Sequence, residues 1–460
     1  KLLAILVLGI GIVLTIPNSV QAVQYIDSCD FNAAESTEDQ PAIGAGYGYK
    51  NKVHYCDTGD IMEINTAMSR TWALMDLNGK DNDAPADKVS ITISADGSLT
   101  STVNNAANII ASDSDEATIV NHGAMTAGTK TINISSGTNA TITNSGTITT
   151  NSNRNIAIEA TGAGLAIINS GDITITGTNA IKALGTSATI TNNSGGTIQS
   201  AGTTINSTES TFKLTNNSEG EVISTVNNGV VLAGDGAEII NAGTVQADKY
   251  GIKGTATNSG TSSTITNSGN IYGITDRAIY ITGSAYTITN QSGGLIRSGS
   301  DGSTTAAHKL AIEFDGDGTN LTVNNYGTIT AAVNTIKTVS TGMEVTNYSG
   351  GTISVTSDSS RAIFVDGNNT TITNKGTITA TDGSDTINVD GGVTGTKIYV
   401  DGAPTFTGEI ELNNSATAGN TTVYLECNMS QDTTIEIHNK PTLNITNNLC
   451  GNDTYTIQDS

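Results

Sequence analysis

The sequence predicts an all-β fold: a right-handed, single-stranded parallel β-helix (β-solenoid) with three short strands in each coil of about 23–25 residues. A phrase recurs eleven times, formed by a branched apolar residue, any residue, Asn, a small-residue turn with Gly, and another apolar residue. Segment 142–148 has the sequence ITNSGTI, and segment 372–378 has ITNKGTI. Repeats of this length are typical of solenoids.

The first strand of each coil ends at the Asn of the phrase. An Ile, Leu or Val lies two residues before every Asn, and a period of two indicates strands rather than helices. Val, Ile and Thr crowd these segments, as is typical of a pleated sheet. The eleven positions are Asn121, Asn144, Asn169, Asn192, Asn216, Asn241, Asn267, Asn290, Asn325, Asn347 and Asn374.

Each Asn shares its strand face with the apolar residue two positions before it, so both side chains should point into the rod. Buried amides are costly unless they are hydrogen-bonded. Coils stack at about 4.8 Å, which lets equivalent Asn side chains bond to one another. We therefore predict an asparagine ladder. Tyr326 and Tyr348 each follow a ladder Asn in consecutive coils and should stack at one corner.

A second strand has a small residue, an apolar residue and then a variable one, as in segment 180–182, AIK. We expect the variable residues to form one exposed stripe with two opposite-charge pairs, Glu159 with Lys182 and Glu313 with Lys337. The predicted stripe consists of Glu159, Lys182, Asn206, Val231, Lys253, Tyr280, Glu313, Lys337 and Phe364.

The third strand follows the Gly turn, as in segment 147–149. The right hand comes from the general rule for parallel crossovers. The polar, low-charge composition could also indicate disorder, but disordered chains do not keep apolar parity over so many repeats. We expect one elongated domain of roughly 14 coils, a rod on the order of 65 to 70 Å long.

The predicted divisions are a signal peptide at 1–22, an N-terminal cap region at 23–88, the β-helix repeats at 89–406, and C-terminal coils or a cap, truncated or not, at 407–460. The leader has Lys1, an apolar run to Ile16 and a small-residue cleavage site ending at Ala22. The alternative is a membrane anchor, for which about 15 apolar residues are too few. The cap region contains the one Trp, Trp72.

Four cysteines lie outside the repeats. In an exported chain an even number favours disulfides, and closure within each end is the most economical pairing. The competing interpretation is metal ligation, but His54 and His438 complete no recognised zinc spacing. The cysteines are Cys29, Cys56, Cys427 and Cys450.

The ITNSGTI-type repeats behind a signal peptide resemble the passenger domains of bacterial autotransporters, and the resemblance covers residues 1 to about 415. It implies an adhesin-like β-helix at the bacterial cell surface or outer membrane. Two features depart from that family. The segment after Thr407 lacks the alternating strands of a membrane barrel, and passengers tend to avoid cysteine. Either the barrel was lost by truncation, or the protein reaches the surface by another route.

The sequence offers no catalytic, cofactor-binding or metal-binding residues, so we expect neither an enzyme nor a cofactor. The acidic clusters (Asp113, Asp115 and Glu116; Asp315 and Asp317; Asp382 and Asp385) lie near Gly- or Ser-rich turns and are interpreted as solvated turns. The segment from Asp315 lacks the distant Glu of a calcium loop. A net charge of -23 excludes a nucleic-acid partner.

The expected function is therefore a secreted or surface-displayed structural or adhesive rod that presents Thr-, Ser- and Asn-rich faces. Its partner would be an extracellular or cell-surface protein or glycan, or another copy of itself, with membrane contact only through a barrel domain absent from this chain. The alternatives are a polysaccharide-active lyase or hydrolase on the same scaffold and a self-assembling surface filament or layer.

Overall fold

A computed structural model describes residues 88–101, 108–150, 155–256, 261–299, 310–316, 318–381, 384–401, 405–412 and 421–425, together with short strands in both terminal regions. The regular secondary structure of these residues is β-strand throughout, arranged in three sheets of 15, 14 and 18 strands. Successive strands of one sheet come from successive coils and pair in parallel. The predicted parallel β-helix with three strands per coil is confirmed.

Sheet 1 contains the strands that end at the ladder position. Its strands are Ile61–Ile64, Ser90–Ile93, Thr118–Asn121, Thr141–Asn144, Ala166–Asn169, Thr189–Asn192, Lys213–Asn216, Glu238–Asn241, Ser263–Asn267, Tyr286–Asn290, Thr322–Asn325, Glu344–Asn347, Thr371–Asn374, Lys397–Val400 and Thr422–Leu425.

Sheet 2 contains the strands that follow the Gly turn. Its strands are Ala67–Arg70, Ser98–Ser101, Ala124–Ala127, Thr147–Thr150, Asp172–Thr174, Thr197–Ser200, Glu221–Ser224, Thr244–Ala247, Asn270–Gly273, Leu295–Ser298, Thr328–Ala331, Thr352–Val355, Thr377–Thr379 and Thr405–Thr407.

Sheet 3 contains the remaining strand of each coil. Its strands are Asp30–Phe31, His54–Tyr55, Met75–Asp76, Asn108–Ser112, Lys130–Ile134, Ile156–Ala160, Asn179–Ala183, Ile205–Ser207, Val230–Leu232, Ile252–Gly254, Ile279–Ile281, Ile312–Phe314, Asn334–Thr338, Arg361–Val365, Asp385–Val389, Glu409–Leu412, Glu436–His438 and Thr456–Ile457.

The core is a set of stacked aliphatic columns. In sheets 1 and 2 buried and half-buried residues alternate, as in the strand Thr141–Asn144, because alternate side chains face opposite sides of a strand. Ile142 pairs in register with Ile119 and Ile167 in the neighbouring coils, and all three are buried. Burial of each such side chain contributes about 1.5–3 kcal/mol, so the core is built equally from every coil.

The asparagine ladder is confirmed over its full predicted length. All eleven Asn side chains are completely buried. From Asn121 to Asn347, each Nδ2 donates to the Oδ1 of the Asn in the next coil, which gives ten hydrogen bonds of 2.7–2.9 Å. Asn216, for example, donates to Asn241 at 2.8 Å and also to the backbone oxygens of Gly220 and Thr244 at 3.0 and 3.1 Å.

The ladder ends where an aliphatic residue replaces Asn at the equivalent position of the next coil. Ile93 occupies the ladder position in the coil before Asn121, and Val400 occupies it in the coil after Asn374. Among the described residues, Asn121 Oδ1 and Asn374 Nδ2 have no hydrogen-bond partner. The two terminal amides therefore carry the polar atoms that the ladder leaves unsatisfied.

The Gly of the repeated phrase is required by coil stacking. A Cβ added to Gly146 would lie 2.0 Å from the backbone oxygen of Gly123 in the preceding coil, and one added to Gly171 would lie 2.2 Å from the oxygen of Gly146. These atoms belong to backbone that cannot move away. The phrase thus carries Gly because the turn of one coil packs directly on the turn of the next.

In the strands of sheet 3 a small residue precedes the central apolar residue, as Ala157 precedes Ile158. The backbone pairing between neighbouring strands is interrupted at this small residue. Ile156 pairs with Asn179 and Ile158 with Ile181, but the intervening Ala157 has no partner in the register. Both this residue and the next are buried, which breaks the simple alternation. This interruption is why the second-strand pattern of the sequence has two consecutive inward positions.

Coil length varies without loss of register. The step from Asn290 to Asn325 is 35 residues, yet the two residues pair directly. The additional residues lie between the strands Leu295–Ser298 and Ile312–Phe314. This insertion therefore falls between a strand of sheet 2 and a strand of sheet 3 and leaves the pairing of sheet 1 unchanged.

Strands also pair beyond the repeats predicted at 89–406. Ile61–Ile64, Ala67–Arg70 and Met75–Asp76 pair in parallel with the strands of the next coil. At the other end, Glu409–Leu412 continues sheet 3. The divisions at 22, 88 and 406 stay predictions, and the signal peptide, Trp72 and the four cysteines lie outside the described residues. No helix among the described residues is long and apolar enough to cross a membrane.

We predict that replacing an inward Asn destabilises the rod while the same change on the outer face does not. Asn325→Leu removes the acceptor of Asn290 and the donor to Asn347. We expect a loss of about 1–3 kcal/mol, since buried partners are left unsatisfied. Asn324→Leu, the matched control on the outer face of the same strand, should change the stability by less than about 0.5 kcal/mol. Urea unfolding midpoints measure both, and equal midpoints would contradict the ladder's role.

We also predict that Gly146→Ala destabilises by about 1–3 kcal/mol, because its methyl group would overpack the Gly123 backbone. The control is Gly392→Ala, since a Cβ at Gly392 meets no atom within 4 Å. The control variant should unfold at the midpoint of the parent chain in the same titration.

Candidate interaction surface

The predicted stripe exists as a column on the outer side of sheet 3. Its nine residues pair in register from coil to coil. The prediction that the variable residues of the second strand share one face is therefore confirmed. Asn133 precedes the column, and Asn388 and Glu411 extend it.

A second column lies three residues earlier in each coil, and side chains of the two columns contact each other. Lys130 Nζ donates to Asn133 Oδ1 at 3.2 Å, and Asn388 Nδ2 donates to Asp385 Oδ2 at 2.8 Å. We call the two columns together the seam. The second column includes Lys130, Tyr250, Arg277, Arg361 and Asp385.

Glu159 is the first ionic centre of the seam. Its carboxylate lies 2.5 Å from Lys130 Nζ and 3.3 Å from Lys182 Nζ, which belong to the two neighbouring coils. Burial opposes ionisation of Glu159, but hydrogen bonding and charge from the two lysines outweigh it and hold the pKa of Glu159 below its usual value. The predicted pair with Lys182 is present, and Lys130 is an additional partner.

Glu313 is the second ionic centre. It pairs with Lys337 at 3.4 Å, as predicted, and also with Arg277, which in turn contacts Asp276. The expectation of an exposed stripe was wrong at two positions, because Glu159 is 9% and Glu313 3% exposed, and the other seven residues of the stripe are half-buried. Each of these carboxylates is covered by one cation of the stripe and one cation of the second column. The stripe alone therefore does not account for their burial.

An aromatic cluster lies between the ionic centres. The rings of Tyr250 and Tyr280 stack with centroids 5.0 Å apart. Arg277 lies 4.9 Å from the Tyr280 ring centroid, and Lys253 lies 5.7 Å from that of Tyr250. Burial, together with donation of the Tyr280 hydroxyl to Asp315 at 2.8 Å, raises the pKa of Tyr280 to about 12. Tyr280 therefore remains a neutral donor at physiological pH.

A carboxyl pair follows further along the seam. Asn388 Nδ2 donates to both Asp385 and Glu411, which lie in adjacent coils. Arg361 Nε is 3.8 Å from Asp385, and the Arg361 guanidinium lies 4.6 Å from the Phe364 ring centroid. Burial, and to a lesser extent the hydrogen bond shared with Glu411, raise the pKa of Asp385 to about 6. Asp385 can therefore hold a proton under mildly acidic conditions.

The acidic clusters of the sequence lie in different structural environments. Asp115 lies in a turn, where the backbone and side chain of Thr138 donate to it and lower its pKa. Asp385, by contrast, begins a strand and belongs to the carboxyl pair. Asp317 and Asp382 lie outside the described residues. In the part of the chain that the structure describes, no three His, Cys, Asp or Glu side chains converge as metal ligands.

The tyrosines of the sequence divide among different surfaces. Tyr326 and Tyr348 stack at the predicted corner with centroids 4.1 Å apart. Tyr272 lies on the outer side of sheet 2 and Tyr280 on that of sheet 3. Tyr286 is completely buried, and its hydroxyl oxygen accepts a hydrogen bond from the backbone N–H of Ala256 at 3.3 Å. The last three thus form no common aromatic groove.

Sequence reasoning missed the second column and the carboxyl pair. The available signal was the register, since Asp385 pairs with Glu409 and Asn388 with Glu411 one coil later. What the register does not show is that side chains three residues apart in one coil touch each other. That contact depends on the interruption of the strand at the intervening buried residues.

The fold and the seam define the class of this protein as a parallel β-helix rod with an ordered ionic and aromatic surface. Comparison with family models, with curated proteins and with solved structures finds no match to the chain.

We predict opposite pH responses for two carboxyl substitutions. The pKa of Asp385 is raised from 3.8 to about 6 on folding, so its ionisation weakens the fold as pH rises through that window. Asp385→Asn should therefore gain stability relative to the parent chain between pH 4 and 6 and keep the gain above it. The pKa of Asp115 is lowered, so its contribution is present above pH 3.8 and disappears on acidification. Asp115→Asn should be less stable than the parent chain at neutral pH and equal to it in acid.

Unfolding midpoints of the three chains between pH 3 and 8 measure these differences. Parallel pH profiles for the two variants would contradict the assigned environments.

Proposed function

We propose that the chain is a secreted or surface-displayed rod that makes adhesive contacts outside the cell through its seam. The observation that carries the proposal is the in-register column from Glu159 to Phe364, in which seven of the nine side chains are charged or aromatic. Hydrophobic columns and the ladder hold the rod together independently of these outer residues. Selection can therefore vary the seam without altering the fold.

The composition of the seam suits a macromolecular partner. Tyr and Arg are enriched at the energetic centres of interfaces, and the Tyr250, Arg277 and Tyr280 cluster combines both. The sequence-based expectation of an apolar leader supports an extracellular location, and the resemblance to autotransporter passengers supports display at a bacterial surface. The partner class is an extracellular protein or glycan.

Binding of the purified chain to immobilised extracellular-matrix proteins and to a glycan array tests this proposal. Lys253→Glu combined with Phe364→Ser changes two half-exposed seam residues and should weaken binding at least tenfold. The control is Thr149→Glu combined with Gln246→Ser on the outer face of sheet 2, which should bind like the parent chain. The proposal fails if both double variants bind equally well while remaining folded.

A polysaccharide-active enzyme is the second candidate, and the Asp385–Glu411 pair is the observation that favours it. A carboxyl with a pKa of about 6 suits a general acid. Against this candidate, both groups accept from the same Asn388 Nδ2 atom, whereas glycoside hydrolases hold their carboxyls about 5–9.5 Å apart with room for substrate between them. Release of reducing ends or unsaturated sugars from a polysaccharide panel, abolished by Asp385→Asn, would establish the enzyme instead of the rod.

A further inference from the structure

The outer face of sheet 1 carries an uncharged column that the seam does not involve. From Thr92 to Tyr424 it runs in register without a charged residue, and Glu63 precedes Thr92 in the register. Ile168 is 40% exposed, and the rings of Tyr399 and Tyr424 stack 4.5 Å apart. The column consists of Thr92, Val120, Thr143, Ile168, Thr191, Thr215, Ile240, Thr266, Thr289, Asn324, Thr346, Thr373, Tyr399 and Tyr424.

This face is an unusual region for a chain with a net charge of -23. Threonine supplies eight of its fourteen residues, and Val120, Ile168, Ile240, Tyr399 and Tyr424 supply the aliphatic and aromatic surface among them. Because the column is uncharged along its length, it is also the place where a second acidic rod meets the least repulsion.

We propose that the outer face of sheet 1 binds a second copy of this chain in an antiparallel, face-to-face dimer. The charges beside the uncharged column decide the geometry. Lys213 and Glu238 occupy the same row in adjacent coils, 2.9 Å apart at their charged atoms and each nearly half exposed. A twofold axis along the strand direction, between these two coils, places Lys213 of one copy opposite Glu238 of the other and the reverse.

This symmetry also fits the rest of the face. Rotation about an axis parallel to the strands reverses the rod but keeps each row opposite itself, so the two uncharged columns face each other. Ile168 then meets Thr289 of the second copy, and Val120 meets Thr346. Glu344, the next charged residue of the row, faces Thr118, so no like charges oppose each other.

The overlapping area is sufficient for a stable dimer. Twelve coils, from Ser90–Ile93 to Thr371–Asn374, overlap in this arrangement. They form a face of about 58 by 13 Å at about 4.8 Å per coil and 3.3 Å per residue. About 750 Å² per copy, or about 1,500 Å² in total, falls within the range of specific interfaces.

The outer face of sheet 2 is a less suitable partner surface. The charged residues of its first row are Asp172 and Glu221, both acidic and two coils apart. An antiparallel overlay centred between them places acid against acid. Sheet 2 therefore offers a control surface with the same strand geometry and a similar content of hydroxyl groups.

Sedimentation velocity of the processed chain, in reducing buffer and over a hundredfold range of concentration, tests the dimer. We expect a concentration-dependent shift from monomer to dimer that strengthens as NaCl rises from 0.05 to 0.5 M, because salt screens the repulsion between two acidic rods. Ile168→Glu with Ile240→Glu should raise the dissociation constant at least tenfold. Ile223→Glu with Gln246→Glu, on sheet 2, adds the same charge and should leave the constant within twofold of the parent value.

A mixing experiment tests the pairing itself. Chains with Lys213→Glu and chains with Glu238→Lys should each dimerise weakly alone, because like charges then face across the axis, and should form mixed dimers when combined. A parent chain that stays monomeric in all conditions, or a dimer equally affected by the sheet 1 and sheet 2 variants, overturns the proposal. A neutral polysaccharide that binds sheet 1 of a strictly monomeric chain would show a different occupant. The seam stays exposed in the dimer, so adhesion and dimerisation can fail independently.

Discussion

The fold depends on the hydrogen bond between the side-chain amides of Asn residues in successive coils. Each ladder Asn lies in a completely buried position, where an unpaired amide would cost free energy. Its Nδ2 faces a carbonyl of its own turn and one of the next coil, so only the amino end of the amide fits that side. The Oδ1 then accepts from the preceding coil, and every amide in the ladder points in the same direction.

This directional bonding explains why one residue type persists from Asn121 to Asn374. An amide both donates and accepts, whereas Leu does neither and Asp, when ionised, cannot donate. A substitution in one coil therefore leaves polar atoms unsatisfied in both neighbours. The Gly that follows in the phrase is required by the same stacking of coils, since the backbone of the neighbouring turn leaves no space for a Cβ.

Because each coil is held by its neighbours, the outer residues are free to specialise by face. Ionic and aromatic side chains gather on sheet 3, where the two columns touch and Glu313 becomes almost fully buried among cations. Sheet 1 keeps an uncharged outer column of β-branched and aromatic side chains. The same strand period thus supports an inner face that sets the fold and outer faces that differ in chemistry.

The sequence by itself determined the three-strand coil, the inward ladder, the register of the predicted stripe and the stacked pair of Tyr326 with Tyr348. These features follow from a period of two and from equivalent positions in consecutive coils, which are local and repeated. Only the tertiary structure decided that Glu159 is buried, that Lys130 joins it, and that Asp385 meets Glu411 through Asn388. Burial and proton affinity at these positions depend on how side chains three residues apart converge where strand pairing is interrupted. That convergence is a property of the stacked coils, and no single repeat contains it.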